Sequence, residues 1–109
     1  MKLSLRAAAC LILGFAALPA FAKGDAAAGK VLAYTCTGCH GIEGYTNAYP
    51  HYHVPKIGGQ NYEYLVAALT AYQKGERQHP TMRAQAESFS EQDIANLATY
   101  LSGVGQDSQ

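Results

Sequence analysis

An all-α fold of three to four helices follows from three features of this 109-residue sequence. Apolar residues recur at helical spacing in three stretches, and no stretch alternates apolar and polar residues as a half-buried strand does. A Cys-x-x-Cys-His motif closes the first of those stretches. A chain of this length holds one domain and little else.

The chain divides before its first helix. Lys2 and Arg6 precede an apolar run over residues 7–18, Pro19 breaks the run, and Ala20-Phe21-Ala22 follows. A basic start, an apolar middle and a small-x-small end are the parts of a cleaved secretory signal. The reading is therefore a signal peptide over residues 1–22 and a working domain over residues 23–109, exported to the periplasm. The stretch over residues 7–22 is shorter than the roughly 20 apolar residues of a membrane span. Cys10 precedes most of the apolar run, so it leaves with the signal.

Removing the signal changes the charge. The full chain has eight Lys/Arg and eight Asp/Glu. Residues 23–109 keep six basic and eight acidic side chains, a balance of −2. No basic excess points to nucleic acid. The 49% hydrophobic content argues against disorder. Two remaining cysteines are too few for a disulfide scaffold. A domain this small sits near the lower limit for a self-sufficient core, so something besides side chains helps to fill it.

The elements follow in order. Residues 25–36 are Ala-rich and place Ala28, Leu32 and Cys36 at steps of four. Residues 41–60 are rich in Gly, Tyr and Pro and read as a loop. Residues 61–74 put Tyr62, Leu65, Val66, Leu69 and Tyr72 on one helical face, with Asn61 as N-cap and Gly75 as the stop. Residues 76–89 read as a second loop. Residues 91–101 carry the stripe Ile94, Leu97, Ala98 and Leu101, with Ser90 and Asp93 as a capping box and Gly103 as the stop. The tail over residues 106–109 is polar.

The chemistry lies in Cys36-Thr37-Gly38-Cys39-His40. Two thiols three residues apart lie on one helical face, within reach of the two vinyl groups on one edge of a haem. His40 is then held beneath the iron as the proximal ligand. Small residues at Thr37 and Gly38 let the backbone pass close to the ring. A redox Cys-x-x-Cys needs a βαβ context that the pattern lacks. A structural zinc site needs two further ligands, for which only His51 and His53 are at hand. A plain disulfide leaves His40 unexplained. The cofactor expected is one haem c, covalently bound through Cys36 and Cys39.

A low-spin electron carrier needs a second axial ligand. Met82, the only methionine in residues 23–109, lies in the loop before the last helix. His79, His51 and His53 compete with it, and a vacant position is the remaining alternative. Methionine raises the reduction potential relative to a second histidine.

With these motifs in place, the sequence resembles the class I c-type cytochromes, in particular the small bacterial kind and each half of the two-haem kind. Gly29-Lys30-Val31-Leu32 and residues 36–41 resemble the family's first helix and haem motif. Pro55-Lys56-Ile57-Gly58-Gly59-Gln60 resembles its proline segment, and His79-Pro80-Thr81-Met82 its ligand loop. Tyr62-Glu63-Tyr64-Leu65 and Leu97-Ala98-Thr99-Tyr100-Leu101 resemble its middle and last helices. The resemblance implies that the Pro55 carbonyl accepts the imidazole N–H of His40, fixing the ring and strengthening it as a donor. It also implies a close crossing of the first and last helices at Gly29. Two departures stand out: Ala33 where the family usually has an aromatic, with Tyr34 next to it, and residues 45–53, rich in Tyr and His.

The function implied is one-electron transfer, with no catalysis of its own, since no nucleophile is paired with a base. Expected haem-packing residues are Leu32, Pro55 and Ile57 from the first half and Leu65, Leu69, Phe89, Leu97 and Leu101 from the second. Lys30, Lys56, Lys74, Arg77 and Arg83 are candidates for a basic rim. Expected partners are redox proteins: a terminal oxidase or peroxidase for a free shuttle, or a dehydrogenase or oxidase that holds the chain as a subunit. A gas-binding sensor is the third possibility, if the sixth position is labile. Neither nucleic acid nor stable membrane insertion is expected.

Overall fold

Asp25 starts the first helix by accepting hydrogen bonds from the backbone N–H groups of Ala27 (2.8 Å) and Ala28 (3.4 Å). In the computed structural model, which describes residues 24–42 and 54–105, five helices follow one another. The signal segment over residues 1–22, the stretch over residues 45–53 with His51 and His53, and the tail over residues 106–109 lie outside the described residues.

The expected first helix is two helices, α1 (Ala26–Leu32) and α2 (Tyr34–His40), divided at Ala33. The break is slight. Ala33 keeps a near-helical backbone and donates to the carbonyls of Gly29 and Val31. Gly41 ends α2 in the left-handed region at φ 63°, which a glycine adopts without a Cβ penalty. The chain therefore turns away immediately after His40.

Helix α3 (Tyr62–Lys74) has the expected ends. Asn61 accepts from Tyr64 N at 3.0 Å, and Gly75 closes it at φ 76°. The segment expected as a loop before the last helix contains α4 (Pro80–Glu87). Pro80 opens it, where a missing N–H costs nothing, and His79 caps it. Helix α5 (Glu91–Gly103) begins with the expected capping box: Ser90 Oγ accepts from Asp93 N at 3.1 Å and Asp93 Oδ2 accepts from Ser90 N at 2.9 Å. Its end differs from expectation, because the helix runs through Gly103 and stops at Val104. The Leu101 carbonyl is satisfied from outside the helix by Gly59 N at 2.7 Å, which also docks the proline segment on α5.

Helices α1 and α5 cross with their backbones nearly touching. A Cβ on Gly29 would overlap the Asn96 carbonyl and lie 2.8 Å from Tyr100 Cβ. Gly24 is equally tight against the Ala95 carbonyl. Asn96, 8% exposed, accepts from Asp25 N (2.8 Å) and Gln92 Nε2 (3.0 Å) and so locks the crossing. Ala33 is fully buried here while Tyr34 is 81% exposed, so Tyr34 does not replace the aromatic expected at Ala33; Tyr100 supplies the nearby ring from α5. The core gathers Ala33, Ile42, Leu65, Leu97, Ala98 and Leu101. Each large aliphatic chain buried there contributes roughly 1.5–3 kcal/mol. Among the described residues, no buried side-chain nitrogen or oxygen lacks a partner.

Candidate functional site

One face of α2 fixes the first half of the site. The 3.6-residue turn brings Cys36, Cys39 and His40 to a common cavity, while Thr37 and Gly38 do not line it. A Cβ at Gly38 would meet no atom within 4 Å. No protein atom therefore demands a small residue at Gly38. Burial pushes the Cys36 thiol above its usual pKa, a hydrogen bond from Thr35 opposes the shift, and neighbouring Cys39 adds to it.

The second half comes from α3, α4 and the proline segment. The cavity encloses about 1250 Å³ including its open mouth. Its walls are apolar, from Ile57, Leu65, Leu69, Phe89, Leu97 and Leu101. Pro55 lines it as well, whereas Leu32 packs on the core cluster instead.

His40 Nδ1 lies 2.8 Å from the Pro55 carbonyl oxygen. A carbonyl can only accept, so Nδ1 carries the proton and the lone pair remains on Nε2. Met82 lines the same cavity from the first turn of α4. His79 lines it too, and its Nδ1 accepts the Met82 backbone N–H at 3.3 Å. Of the four side chains considered for the second ligand, the structure describes these two; His51 and His53 lie outside the described residues.

Arg77 also lines the cavity; its guanidinium donates to Tyr64 Oη at 3.4 Å, which raises its pKa further, and lies 4.7 Å from the Tyr72 ring centroid. Lys56 lines the cavity as well, but Lys30, Lys74 and Arg83 do not, and Arg83 is paired with Glu87 at 2.7 Å. Of the five candidates for a basic rim, Lys56 and Arg77 are the two that line this cavity.

Sequence reasoning missed two residues that shape the site. Gln73 on α3 donates to the Ala86 and Phe89 carbonyls at 3.2 and 2.7 Å, tying down the far end of α4. Asn96 locks α1 to α5. Neither lies on an apolar stripe, and a lone polar residue at mid-helix gives no signal of its target.

The donor set fits a haem. Two thiols, an imidazole with a free Nε2 lone pair and a thioether share one apolar cavity. No metal-binding group of three or more His, Cys, Asp or Glu side chains occurs among the described residues. No helix among them is long and apolar enough to cross a membrane.

Residues 26–105 match the family profile of cytochrome c. Cytochrome c-554(548) of Halomonas halodenitrificans is 40% identical over 82 residues, covering 72% of this chain and 95% of that protein. Cytochrome c4 of Pseudomonas aeruginosa is 38% identical over 91 residues, covering 84% of this chain but 43% of that protein. The chain therefore spans less than half the length of that cytochrome c4. The cytochrome subunit of sulfide dehydrogenase from Chlorobaculum tepidum is 29% identical over 93 residues, covering 85% of this chain and 81% of that protein. The chain belongs to the cytochrome c family, with the family's all-α fold and haem c bound through Cys36 and Cys39.

Proposed function

We propose that the chain is a periplasmic electron carrier whose haem is ligated by His40 and Met82. On this reading residues 1–22 export the chain and are removed, and residues 23–109 are the working unit. The observation that carries the ligand assignment is the common cavity of His40 and Met82, with His40 Nδ1 committed to the Pro55 carbonyl at 2.8 Å.

When bound, the haem supplies reversible one-electron exchange. The chain's residues set the conditions for it. Pro55 holds the His40 ring in one tautomer and one orientation and increases its donor strength. Leu65, Leu69, Phe89, Leu97 and Leu101 exclude water, which favours the less charged reduced state and a higher potential. Met82 adds a neutral sulfur donor in place of a vacant position. The helix crossing at Gly29 keeps α5, and with it one wall of the cavity, fixed during electron exchange.

Its partners are redox proteins, and a terminal oxidase or peroxidase fits a free shuttle. Such encounters bury little area and are weak. A second reading, permanent attachment to a dehydrogenase or oxidase, is favoured by the similarity to a cytochrome subunit of sulfide dehydrogenase. Exposed Val31 and Tyr34, one turn apart on α1 and α2, offer an apolar contact for it. Size-exclusion chromatography of the native protein from its source separates the two: a small species supports the shuttle, and co-elution with a larger chain supports the subunit.

The test of the ligands is an optical spectrum with and without Met82→Ala. Loss of the weak far-red sulfur–iron band, a lower potential and new carbon monoxide binding are expected. An unchanged spectrum would transfer the ligand role to a histidine. Ready carbon monoxide binding by the unmodified reduced protein at neutral pH would favour the gas-sensing alternative.

A further inference from the structure

We propose that His79 and Gln73 are positioning residues for Met82, holding the two ends of α4 so that its sulfur stays in the cavity. The proposal rests on the assignment of Met82 as a ligand. Helix α4 has only eight residues, too short to be stable by itself. Its hold on Met82 must come from what fastens it.

Two contacts do so, one at each end. At the start, His79 Nδ1 accepts the backbone N–H of Met82 itself at 3.3 Å, an imidazole in the role usually taken by Ser, Thr, Asp or Asn. The contact reaches the very residue whose side chain lines the cavity. His79 is extended at φ −161°, and Pro80 follows with φ already suited to the helix, so the cap is set locally. At the other end, Gln73 Nε2 donates to the carbonyls of Ala86 at 3.2 Å and Phe89 at 2.7 Å. Both partners can only accept, so the amide must present its NH2 group to them. Gln73 therefore joins α4 to α3 through Ala86, and its second bond holds Phe89, another cavity wall, in place.

The role is conditional on a difference between states. A contact kept after Met82 leaves the cavity shifts nothing, whereas one lost on departure stabilises the ligated state. Met82 lies in the first turn of a two-turn helix, so withdrawing it frays the turn that His79 caps. That movement also strains the Gln73 bonds to the other end.

The test is imidazole titration of the ferric holoprotein at fixed pH, following the far-red sulfur–iron band. Imidazole displaces the sixth ligand, so its apparent Kd reports how firmly Met82 is held. His79→Ala and Gln73→Met are each expected to bind imidazole about three- to tenfold more tightly than wild type, the range that loss of a cap or a satisfied carbonyl pair supplies. His79→Asn keeps a capping oxygen and is expected to stay within about twofold of wild type. Met82→Ala is the reference and lacks the band from the start.

If His79→Ala and Gln73→Met both titrate like wild type while Met82→Ala has lost the band, the positioning role is overturned and the ligand assignment stands. If His79→Asn is as weakened as His79→Ala, capping is not what His79 does, and the proposal fails for that residue. If Met82→Ala retains the band, the ligand assignment itself is wrong and this proposal falls with it.

Discussion

Replacing Gly29 with alanine adds one methyl group where α1 and α5 cross. The ideal Cβ overlaps the Asn96 carbonyl oxygen and sits 2.6 Å from its carbon and 2.8 Å from Tyr100 Cβ. Two of these three atoms are backbone, so no side chain can swing aside. Helix α1 has to withdraw by about 1.5 Å or more to restore ordinary contact near 3.5–4.0 Å. Withdrawal also stretches the 2.8 Å bond from Asp25 N to Asn96 Oδ1. Overpacking costs about 1–3 kcal/mol and the damaged bond about 1 kcal/mol, while alanine returns up to about 1 kcal/mol of helix propensity. The expected net loss is about 3 kcal/mol, with the clash at the upper end because backbone cannot yield. For a domain of this size each kcal/mol corresponds to about 4–8 °C, so Tm should fall by roughly 12–24 °C. Thermal unfolding of the ferric holoprotein, followed by circular dichroism, reads this directly. Gly103→Ala is the control: it lies in α5 with nothing within 4 Å of an added Cβ and should be neutral or stabilising by up to about 1 kcal/mol. If Gly29→Ala unfolds within 2 °C of wild type, the close-crossing account is refuted.

Other outcomes follow from the same geometry. Ser90→Ala removes the side-chain half of the capping box and should cost about 1 kcal/mol, measured by urea unfolding at pH 7. The backbone N–H and hydroxyl of Ser90 hold the Asp93 carboxyl below its ordinary pKa. Its contribution is therefore fully present above the unfolded carboxylate value near about 4 and is lost as pH falls through the lower folded value. The stability gap between wild type and Asp93→Asn should accordingly be widest near neutral pH and close in strong acid; a gap independent of pH would contradict this. Residues 23–109 carry a balance of −2, so electron exchange with a small neutral redox partner should change little between low and physiological salt in stopped-flow measurements, and a steep salt dependence would point to a localised charge patch.

How much of this was legible in the sequence depended on whether the signal was local. Helices α3 and α5 combine an apolar stripe with strong caps, Asn61 and Gly75 for one and Ser90 with Asp93 for the other, and their starts agree with expectation. Helix α4 was concealed because half of Pro80–Glu87 is polar, and the resemblance to a ligand loop favoured a loop reading; Pro80 at its first position was the available signal. The division at Ala33 has no breaker residue to announce it. It coincides with a residue fully buried in the core, so packing rather than propensity accompanies the break. Gly103 misled for the opposite reason: a glycine near a helix end is not a stop when the helix continues to Val104 and its carbonyl at Leu101 is satisfied by Gly59.

The candidate site divides in the same way. Cys36, Cys39 and His40 are adjacent along the chain, and their spacing alone brings them to one face. The contact between His40 and Pro55 spans 15 residues and could be anticipated only through the family resemblance. The roles of His79 and Gln73 depend on where α4 lies against α3, which no periodicity reveals. Asn96 is the same kind of case, a polar side chain whose use is decided by the helix that crosses it.

The central claim is a haem fixed covalently to Cys36 and Cys39 in a domain that starts after residue 22. Denaturing intact mass, followed by peptide mapping, tests it most directly. The account predicts the mass of residues 23–109 plus one haem, with the haem retained after denaturation on the peptide that contains both cysteines. A mass equal to the bare polypeptide, or haem that acid–acetone extracts from the denatured chain, would contradict it.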